Sequence, residues 1–246
     1  MNTKEKTALP CAAKRPGRSR TLILLTYNEL EGSTQLYDSI PWQCADETFA
    51  VDGGSTDGTI EFLRSRGLRV VGQDRRGRGR AFQIGMGEAS GDHVVFFSSD
   101  GNENPADIPK LFEKLEEGRD LVIASRMMHG ASNEEDVKFI RLRKWVNLAF
   151  TLAVNVLWNR GPYITDTING FRGISKHAFS RLKCRTDGFD IEFMMTIRAV
   201  KLGLKITEIP THEGTRIGGV STAESWPTGL LFVKRLYKEI ALGSDF

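Results

Sequence analysis

Short apolar runs alternate along the chain with segments whose apolar residues recur at helical spacing. The runs start at Thr21, Glu47, Leu68, His93 and Leu121, and each holds four to six mostly apolar residues. Runs of this kind are typical of strands that are covered by other elements on both faces. Strands that alternate with helices of about ten residues predict an α/β fold with a mostly parallel sheet flanked by helices.

Helix signals occupy the segments between these strands. Thr56 or Asp57 suits the N-cap of a helix that runs to about Arg66, and a second helix is predicted for residues 79–89. Pro105 fits the first turn of a third helix. The chain has neither an internal repeat nor a linker that divides it, so the pattern predicts one domain.

The composition is that of an ordinary globular enzyme. Of 246 residues, 40% are hydrophobic and 26% are charged, which excludes intrinsic disorder for most of the chain. The net charge of +3 is too small to imply nucleic-acid binding by itself. Cys11, Cys44 and Cys184 form no CxxC pair, so neither a disulfide framework nor a structural zinc site is expected, and a reducing compartment is favoured.

Two basic segments are expected to be solvated. Residues 1–20 lack the apolar stretch of a secretory signal and are expected to form a flexible tail, with a tether to anionic lipid as the alternative. Seven arginines between residues 64 and 80 are expected to form a basic surface, with contact to a phosphate or anionic lipid as the alternative. Only Phe82 offers a stacking platform there, which disfavours nucleic acid. No segment reaches the roughly 18 apolar residues that a bilayer span needs.

Polar residues follow three of the predicted strands. Residues 27–29 follow the first strand, residues 52–55 the second and residues 98–100 the fourth. Ligands of parallel sheets bind outside the carboxyl ends of the strands, so this edge is the candidate active site. A phosphate-binding GxxxxGK[ST] loop is missing, and residues 77–82 match GxGxxG only in part, so neither a P-loop NTPase nor a dinucleotide site is predicted.

A series of short motifs then points to a family. The motifs are TYNE (26–29), VDGGSTDGT (51–59), GRGRAFQIG (77–85), SSDGN (98–102), ASR (124–126), RK..N (143–147), TDTINGFR (165–172), GFDIEFMMTIRAVKLGL (188–204), EIP (208–210) and RIGGVS (216–221). Together they resemble family 2 glycosyltransferases with the Rossmann-like GT-A fold, in the dolichyl-phosphate mannose synthase-like branch. The resemblance implies a glycosyltransferase domain over residues 21–225, with a nucleotide-sugar half at about 21–125 and an acceptor half at about 126–225.

The resemblance also implies a donor site. The residues expected to bind the nucleotide sugar are Thr26, Tyr27, Glu29, Asp52, Gly54, Asp57, Arg80, Ser99 and Arg216. A divalent cation, Mg²⁺ or Mn²⁺, would be held by Asp100 with Ser98 and Asn102. Ser98 stands where the family has the first acid of its DxD motif, and Gly53 and Thr222 are two further departures that remove charge. Asp57 has an alternative role as a helix N-cap.

The acceptor half is expected to carry the rest of the chemistry. The expected catalytic residues are Asp100, Arg126, Arg143, Asp166 and Asp190, and the expected ligands of an acceptor phosphate are Arg126, Arg143, Asn147 and Arg172. Guanidinium groups suit a lipid phosphate, which is already ionised and needs no general base. Asp166 and Asp190 are the candidate bases if the acceptor is a hydroxyl, although Asp190 and Glu192 also suit a helix N-terminus.

Two apolar segments indicate where a lipid would lie. Residues 145–158 are bracketed by basic residues and have a tryptophan at each end, which suits an interfacial helix, with a buried core helix as the alternative. Residues 226–246 predict an amphipathic helix that lies on a membrane or docks on a partner.

The predicted function is therefore inverting transfer of a hexose from a nucleoside diphosphate sugar to a polyprenyl phosphate. The enzyme would be peripheral on the cytoplasmic face of the membrane, or it would work beside a separate transmembrane protein. The alternatives are a transferase that acts on a sugar or protein hydroxyl, and a catalytically degenerate scaffold subunit.

Overall fold

A seven-stranded sheet forms the centre of the computed structural model, which describes residues 11, 18–132, 142–218, 225–243 and 245–246. The strands are β1 (Arg20–Thr26), β2 (Glu47–Asp52), β3 (Arg69–Gly72), β4 (His93–Ser98), β5 (Leu121–Ser125), β6 (Arg172–Ser175) and β7 (Ile206–Pro210). Their order is β3-β2-β1-β4-β6-β5-β7, and each neighbouring pair is parallel unless it includes β6. The predicted α/β fold with a mostly parallel sheet is confirmed.

Helices cover both faces of this sheet. They are α1 (Leu30–Leu36), α2 (Thr59–Ser65), α3 (Arg78–Glu88), α4 (Ile108–Glu116), α5 (Leu142–Leu157), α6 (Lys176–Leu182), α7 (Ile191–Lys201) and α8 (Ser225–Leu242). Three short 3₁₀ helices lie at Tyr37–Ser39, Trp42–Cys44 and Pro105–Asp107. Within the described ranges, no helix is both long and apolar enough to cross a bilayer.

The core lies in two apolar layers, one on each face of the sheet. Ile23 of β1 faces the layer that contains Phe82 of α3, and Leu24 faces the layer that contains Phe112 of α4. Successive residues of a strand point to opposite faces, and both faces of β1 are buried. This is why β1 has an uninterrupted apolar sequence instead of alternating apolar and polar residues.

Two strands of the second half were not predicted from the sequence. β6 is four residues long, antiparallel to its neighbours, and includes the fully buried Arg172. β7 lies at one edge of the sheet and contains Glu208 and Pro210. Neither segment has the apolar run that marks the other strands, and proline is tolerated in a strand mainly at a sheet edge.

A disulfide joins Cys11 to Cys44, with 5.4 Å between their Cα atoms. Cys44 is buried at the end of the second 3₁₀ helix, where its carbonyl accepts a hydrogen bond from Arg20 Nη1 at 3.3 Å. Cysteine spacing does not reveal this pair, because 33 residues separate the two positions and the fold brings them together. The argument for a reducing compartment therefore loses its basis.

A buried group of charged side chains attaches α8 to α7. Glu239 is fully buried and accepts hydrogen bonds from Arg198 Nε and Lys201 Nζ, each at 3.0 Å. Arg235 Nε donates to Asp190 Oδ2 at 2.6 Å, and Arg235 Nη1 lies 3.7 Å from Glu239. The C-terminal helix is thus anchored to the domain by its charged residues.

Candidate active site

Asp52 holds together the polar turns that follow β1 and β2. Its fully buried carboxylate accepts hydrogen bonds from Thr26 Oγ1, Gly54 N and Ser55 N at 2.7–2.8 Å. Gly54 has a φ of +91°, which glycine adopts without strain. Asp52 and Gly54 therefore shape this turn, and neither lines the cavity that lies beside it.

Asp57 connects the beginnings of two helices. Its carboxylate accepts hydrogen bonds from Leu30 N and from Thr59 N, each at 3.0 Å. Burial acts to raise the pKa of Asp57, but the hydrogen bonds from Thr59 and Leu30 outweigh it and lower that pKa. Gly58 is the N-cap residue, one position later than predicted. The contacts of Asp57 are those of a residue that caps the start of a helix, and Asp57 does not line the cavity.

A cavity of about 1280 Å³ opens at the carboxyl edge of the sheet and extends to α5 and α8. The sequence-predicted residues that line it are Thr26, Tyr27, Glu29, Ser98, Asp100, Asn102, Arg126, Asn147 and Arg216. The predicted residues that do not line it are Asp52, Gly54, Asp57, Arg80, Ser99, Asp166, Arg172 and Asp190. The side chain of Arg143 and the whole of Thr222 lie outside the described residues.

Arg216 bridges two carboxylates at the centre of this cavity. Its Nη1 lies 2.9 Å from Asp100 Oδ2, and its Nη2 donates to Glu29 Oε1. Burial raises the pKa of Glu29 to about 7 despite the opposing charge of Arg216. The three groups form a compact charged cluster at the carboxyl edge of the sheet.

Oxygen atoms beside Asp100 fit a divalent cation. Asn102 Oδ1 is buried and has no hydrogen-bond partner among the described residues, and Ser98 lies at the same wall of the cavity. Carboxylate and amide oxygens are the ligands that Mg²⁺ and Mn²⁺ prefer. No group of three or more His, Cys, Asp or Glu side chains in the described ranges is arranged around a metal position. A cation here would take its other ligands from a bound phosphate or water, as Mg²⁺ commonly does.

Ser99 positions the turn instead of contacting a ligand. Its side chain is fully buried, and its Oγ lies 2.9 Å from Ser33 Oγ of α1. A Cβ at Gly32 would collide with the Ser99 carbonyl, so only glycine lets α1 pack this closely against the turn that carries Asp100. This backbone contact fixes the Asp100 turn relative to α1.

Arg78, not the predicted Arg80, lines the cavity. Arg80 lies outside and forms an ion pair with Asp74 at 2.6 Å. Arg78 instead forms an ion pair with Glu192 at the beginning of α7. The same GRGRA motif contains both arginines, and the sequence gives no reason to prefer one, because their orientation depends on how α3 begins.

Glu103 is a second lining residue that was missed from the sequence. Its Oε2 accepts a hydrogen bond from Ser98 N at 2.6 Å. Burial raises the pKa of Glu103 to about 8, and the nearby Asp100 carboxylate contributes to that rise. The only sequence signal that points to Glu103 is its position directly after the SSDGN motif.

Tyr27 carries an arginine on its ring, a contact that the sequence did not reveal. The Arg76 guanidinium carbon lies 3.7 Å from the centroid of the Tyr27 ring, and Arg76 Nη1 donates to Tyr27 Oη at 2.9 Å. Both side chains line the end of the cavity next to Gln73 and Gly53. A flat aromatic surface is therefore available there, with a cation on its face.

Arg126 and Arg172, which are predicted to bind an acceptor phosphate, are paired with other groups of the protein. Arg126 donates to Asp166 at 2.8 Å and lies 3.3 Å from Glu213, so it faces the cavity with two carboxylates already bound. Burial acts to lower the pKa of Arg126, but Asp166 and Glu213 raise it overall. Arg172 is fully buried and donates to the Asn169 carbonyl, so the structure corrects its assignment as a phosphate ligand.

The two predicted bases are also enclosed. Asp166 is buried in its ion pair with Arg126, and its pKa is lowered because that ion pair and its hydrogen bonds outweigh burial. Asp190 is buried at the N-cap position of α7, where Thr186 Oγ1 and Arg235 Nε donate to it. Their side chains lie outside the cavity lining, which corrects their assignment as bases that reach an acceptor.

The comparisons with known proteins agree with this architecture. Residues 21–182 match the family described as glycosyl transferase family 2. The chain belongs to this family. A relative from Haloferax volcanii, glycosyltransferase AglJ, is 31% identical over 205 residues, which cover 80% of the chain and 63% of the relative. The dolichol-phosphate mannosyltransferase of Pyrococcus furiosus is 26% identical over 226 residues, which cover 89% of the chain and 62% of that protein. The chain thus spans slightly less than two thirds of the length of these two relatives.

A solved structure shows the same fold. Glucosyl-3-phosphoglycerate synthase from Mycobacterium tuberculosis, in complex with Mn²⁺, UDP and glucosyl-3-phosphoglycerate, has a TM-score of 0.68 to this family 2 glycosyltransferase domain at 22% identity. The match covers 96% of the chain and 88% of the synthase. The predicted GT-A fold is therefore confirmed.

Proposed function

We propose that the chain transfers a hexose, with inversion, from a nucleoside diphosphate sugar to a polyprenyl phosphate at a membrane surface. One observation carries this proposal. The cavity is polar at the sheet edge, where Glu29, Asp100 and Arg216 meet, and apolar at its other end, where Val146, Leu230 and Val233 line it and also remain exposed. A polyprenyl phosphate has this same division between a charged head and an apolar chain.

The donor would occupy the polar end. Tyr27 and Arg76 offer a surface for the base, and Arg216 and Arg78 offer positive charge for the diphosphate. Asp100 and Asn102 would hold Mg²⁺ or Mn²⁺, which neutralises the departing diphosphate when it is bound. The Mycobacterium tuberculosis synthase in complex with Mn²⁺ and UDP supports this assignment by its fold.

A phosphate acceptor agrees with the enclosed state of the candidate bases. A phosphate monoester is ionised at neutral pH and attacks without giving up a proton, whereas a hydroxyl needs a general base within reach. Asp166 and Asp190 are both buried and paired with arginines. The name of the Pyrococcus furiosus relative, a dolichol-phosphate mannosyltransferase, supports the same acceptor class. Arg143 and Asn147 stay our proposed contacts to that phosphate.

The apolar surface around the cavity mouth supports a lipid bilayer as the docking partner. Within the described part of the chain, the exposed large apolar side chains are Trp145, Val146, Leu152, Val156, Leu157, Tyr163, Leu230, Val233, Tyr237 and Ile240. They lie on α5, on α8 or just after α5, next to the exposed Lys234 and Lys238. Apolar side chains flanked by lysines suit an anionic membrane interface. The cytoplasmic face and a transmembrane partner are further parts of this proposal.

A transfer assay tests the function directly. The purified protein would be incubated with radiolabelled GDP-mannose or UDP-glucose, with Mn²⁺, and with either a polyprenyl phosphate or the matching polyprenol. We expect labelled lipid with the phosphate and none with the alcohol, and loss of transfer in Asp100→Asn. Transfer to soluble sugar hydroxyls with an inert lipid phosphate would contradict the acceptor, and no turnover of any nucleotide sugar would favour the scaffold alternative.

A further inference from the structure

A single guanidinium holds two carboxylates of the cavity side by side. Arg216 donates through one terminal nitrogen to Asp100 and through the other to Glu29. The two nitrogens of a guanidinium are fixed in one planar fork, so the oxygen atoms that they contact are necessarily close to each other. The Glu29 and Asp100 carboxylates thus both border the position that the Arg216 guanidinium occupies.

Several polar atoms around this position have no partner. Glu29 Oε2, Asn102 Oδ1 and Arg216 Nε are all buried and lack a hydrogen-bond partner among the residues that the structure describes. The Glu29 side chain is only 9% exposed. Buried polar atoms are nearly always satisfied, and each exception calls for a ligand, ion or water. Two of these three atoms are oxygens, one on Glu29 and one on the residue two positions after Asp100.

The two carboxylates do not depend on Arg216 for their position. Glu29 N donates to Thr59 Oγ1 at 3.0 Å, and Glu29 O accepts the Ser33 N–H at 2.8 Å, so the start of α1 is fixed from both sides. The turn that carries Asp100 packs directly against Gly32 of the same helix. The pair would therefore remain together when Arg216 moves away.

We propose that Glu29 supplies the second carboxylate of the divalent-cation site, in place of the acid that the chain lacks at Ser98, and that Arg216 holds this position until a divalent cation displaces it. The proposal rests on the metal-assisted transfer proposed above. When both carboxylates are ionised, they and one guanidinium sum to −1, whereas the same carboxylates and a divalent cation sum to zero. The displaced Arg216 then offers its charge to the donor diphosphate.

Manganese binding tests the ligand assignment without any turnover. Mn²⁺ would be titrated into the protein by electron paramagnetic resonance in the presence of UDP or GDP. We expect Glu29→Gln and Asp100→Asn each to weaken Mn²⁺ binding by about tenfold or more, because the charge count of the ligands sets cation affinity. Glu31→Gln is the matched control, since it removes the same charge from an exposed position of α1 and should stay within about twofold of the unmodified protein.

Two further variants keep the test decisive if Glu29→Gln is poorly folded. Ser98→Asp, added to Glu29→Gln, should restore Mn²⁺ affinity because it returns the missing carboxylate. Arg216→Gln should raise Mn²⁺ affinity without nucleotide, because the competing cation is gone, and should weaken UDP or GDP binding.

Wild-type affinity in Glu29→Gln, with loss in Asp100→Asn, would overturn the role of Glu29 and leave the proposed function intact. Unchanged or weaker Mn²⁺ binding in Arg216→Gln would overturn the displacement. A chain that binds no Mn²⁺ with any nucleotide would overturn both this inference and the metal-assisted function.

Discussion

Helices α4 and α8 differ in how much of their apolar surface they bury. α4 buries Leu111 and Phe112 against the sheet and exposes Glu113 to solvent. α8 buries Arg235 and Glu239 against α7, and exposes Leu230, Val233, Tyr237 and Ile240. Both helices are amphipathic, but the apolar side of α4 faces inward and most of the apolar side of α8 faces outward.

The difference shows that periodicity alone does not give the inward face of a helix. The helical spacing of Leu230, Val233, Tyr237 and Ile240 predicts one apolar side of α8 and leaves Arg235 on the other side, yet Arg235 is buried against the domain. Buried ion pairs are weak sources of stability, yet removing one partner is costly. α8 is therefore attached by matched charges together with the buried Phe232, and its exposed apolar side chains remain available to a membrane.

The largest effect is expected from the centre of the α7–α8 charge group. Glu239→Gln removes the carboxylate shared by Arg198, Lys201 and Arg235, which leaves buried positive charge uncompensated. We expect a loss of about 3–5 kcal/mol in the free energy of unfolding, measured by urea denaturation. Glu113→Gln on α4 is the matched control and should change it by less than about 0.5 kcal/mol. Similar values for the two variants would contradict the buried anchor.

The next largest difference between the two helices is expected in the loss of stability when a leucine of each is replaced by alanine. Leu111→Ala on α4 should cost about 2–5 kcal/mol because it leaves a cavity in a fully buried layer. Leu230→Ala on α8 should cost less than about 0.5 kcal/mol in water, because that side chain is 60% exposed. The midpoints of chemical denaturation, measured side by side, test this. A large loss from Leu230→Ala would mean that α8 is packed in a different way.

For membrane binding we expect the opposite order, with a large effect from substitutions on α8 and none from a substitution on α4. Leu230→Ser combined with Tyr237→Ser removes two exposed apolar side chains from α8. We expect binding to anionic vesicles, measured by co-sedimentation, to weaken by about a hundredfold or more, since each such side chain gains about 1.5–3 kcal/mol on burial and about 1.4 kcal/mol is tenfold. Glu113→Ser on α4 should bind like the unmodified protein. Equal binding by both variants would remove α8 from the membrane interface.

The smallest effect is expected from the lysines beside this apolar surface. Lys234→Gln with Lys238→Gln should weaken binding to phosphatidylserine vesicles by up to about thirtyfold, because each charge near the surface contributes about 1 kcal/mol and about 1.4 kcal/mol is tenfold. The effect should vanish at high salt and with neutral lipids. Lys110→Gln with Lys114→Gln on α4 provides the control. An effect of the same size on neutral vesicles would show that charge is not its cause.

The first half of the fold was predictable because its signals are local. The apolar run of β1 and the Pro105 start of a helix follow from neighbouring residues alone, and both are seen in the structure. β6 and β7 were missed because a short strand such as Arg172–Ser175 is stabilised by its neighbours in the sheet and has no apolar run of its own.

The residues of the candidate site also fall into those with a local sequence signal and those whose role depends on distant partners. Tyr27, Glu29 and Asp100 were found because they follow strands directly, and the end of a strand fixes which edge of the sheet they reach. Arg126 and Asp190 could not be judged from sequence, since their partners Asp166 and Arg235 lie at least 40 residues away along the chain. Which arginine is available to a ligand is a property of tertiary pairing, and composition does not reveal it.

The beginning of α3 has a further consequence for motion. Gly77 and Gly79 lie so close to the carbonyls of Asp187 and Thr186 that a Cβ on either glycine would collide with the opposing backbone, and Gly79 N donates to Asp187 O at 3.0 Å. The beginning of α3 and the segment that precedes α7 are thus joined at this point backbone to backbone. These close backbone contacts leave little room for α3 to move relative to the segment before α7, so adjustment to a substrate at this wall of the cavity falls to side chains such as Arg76 and Arg78.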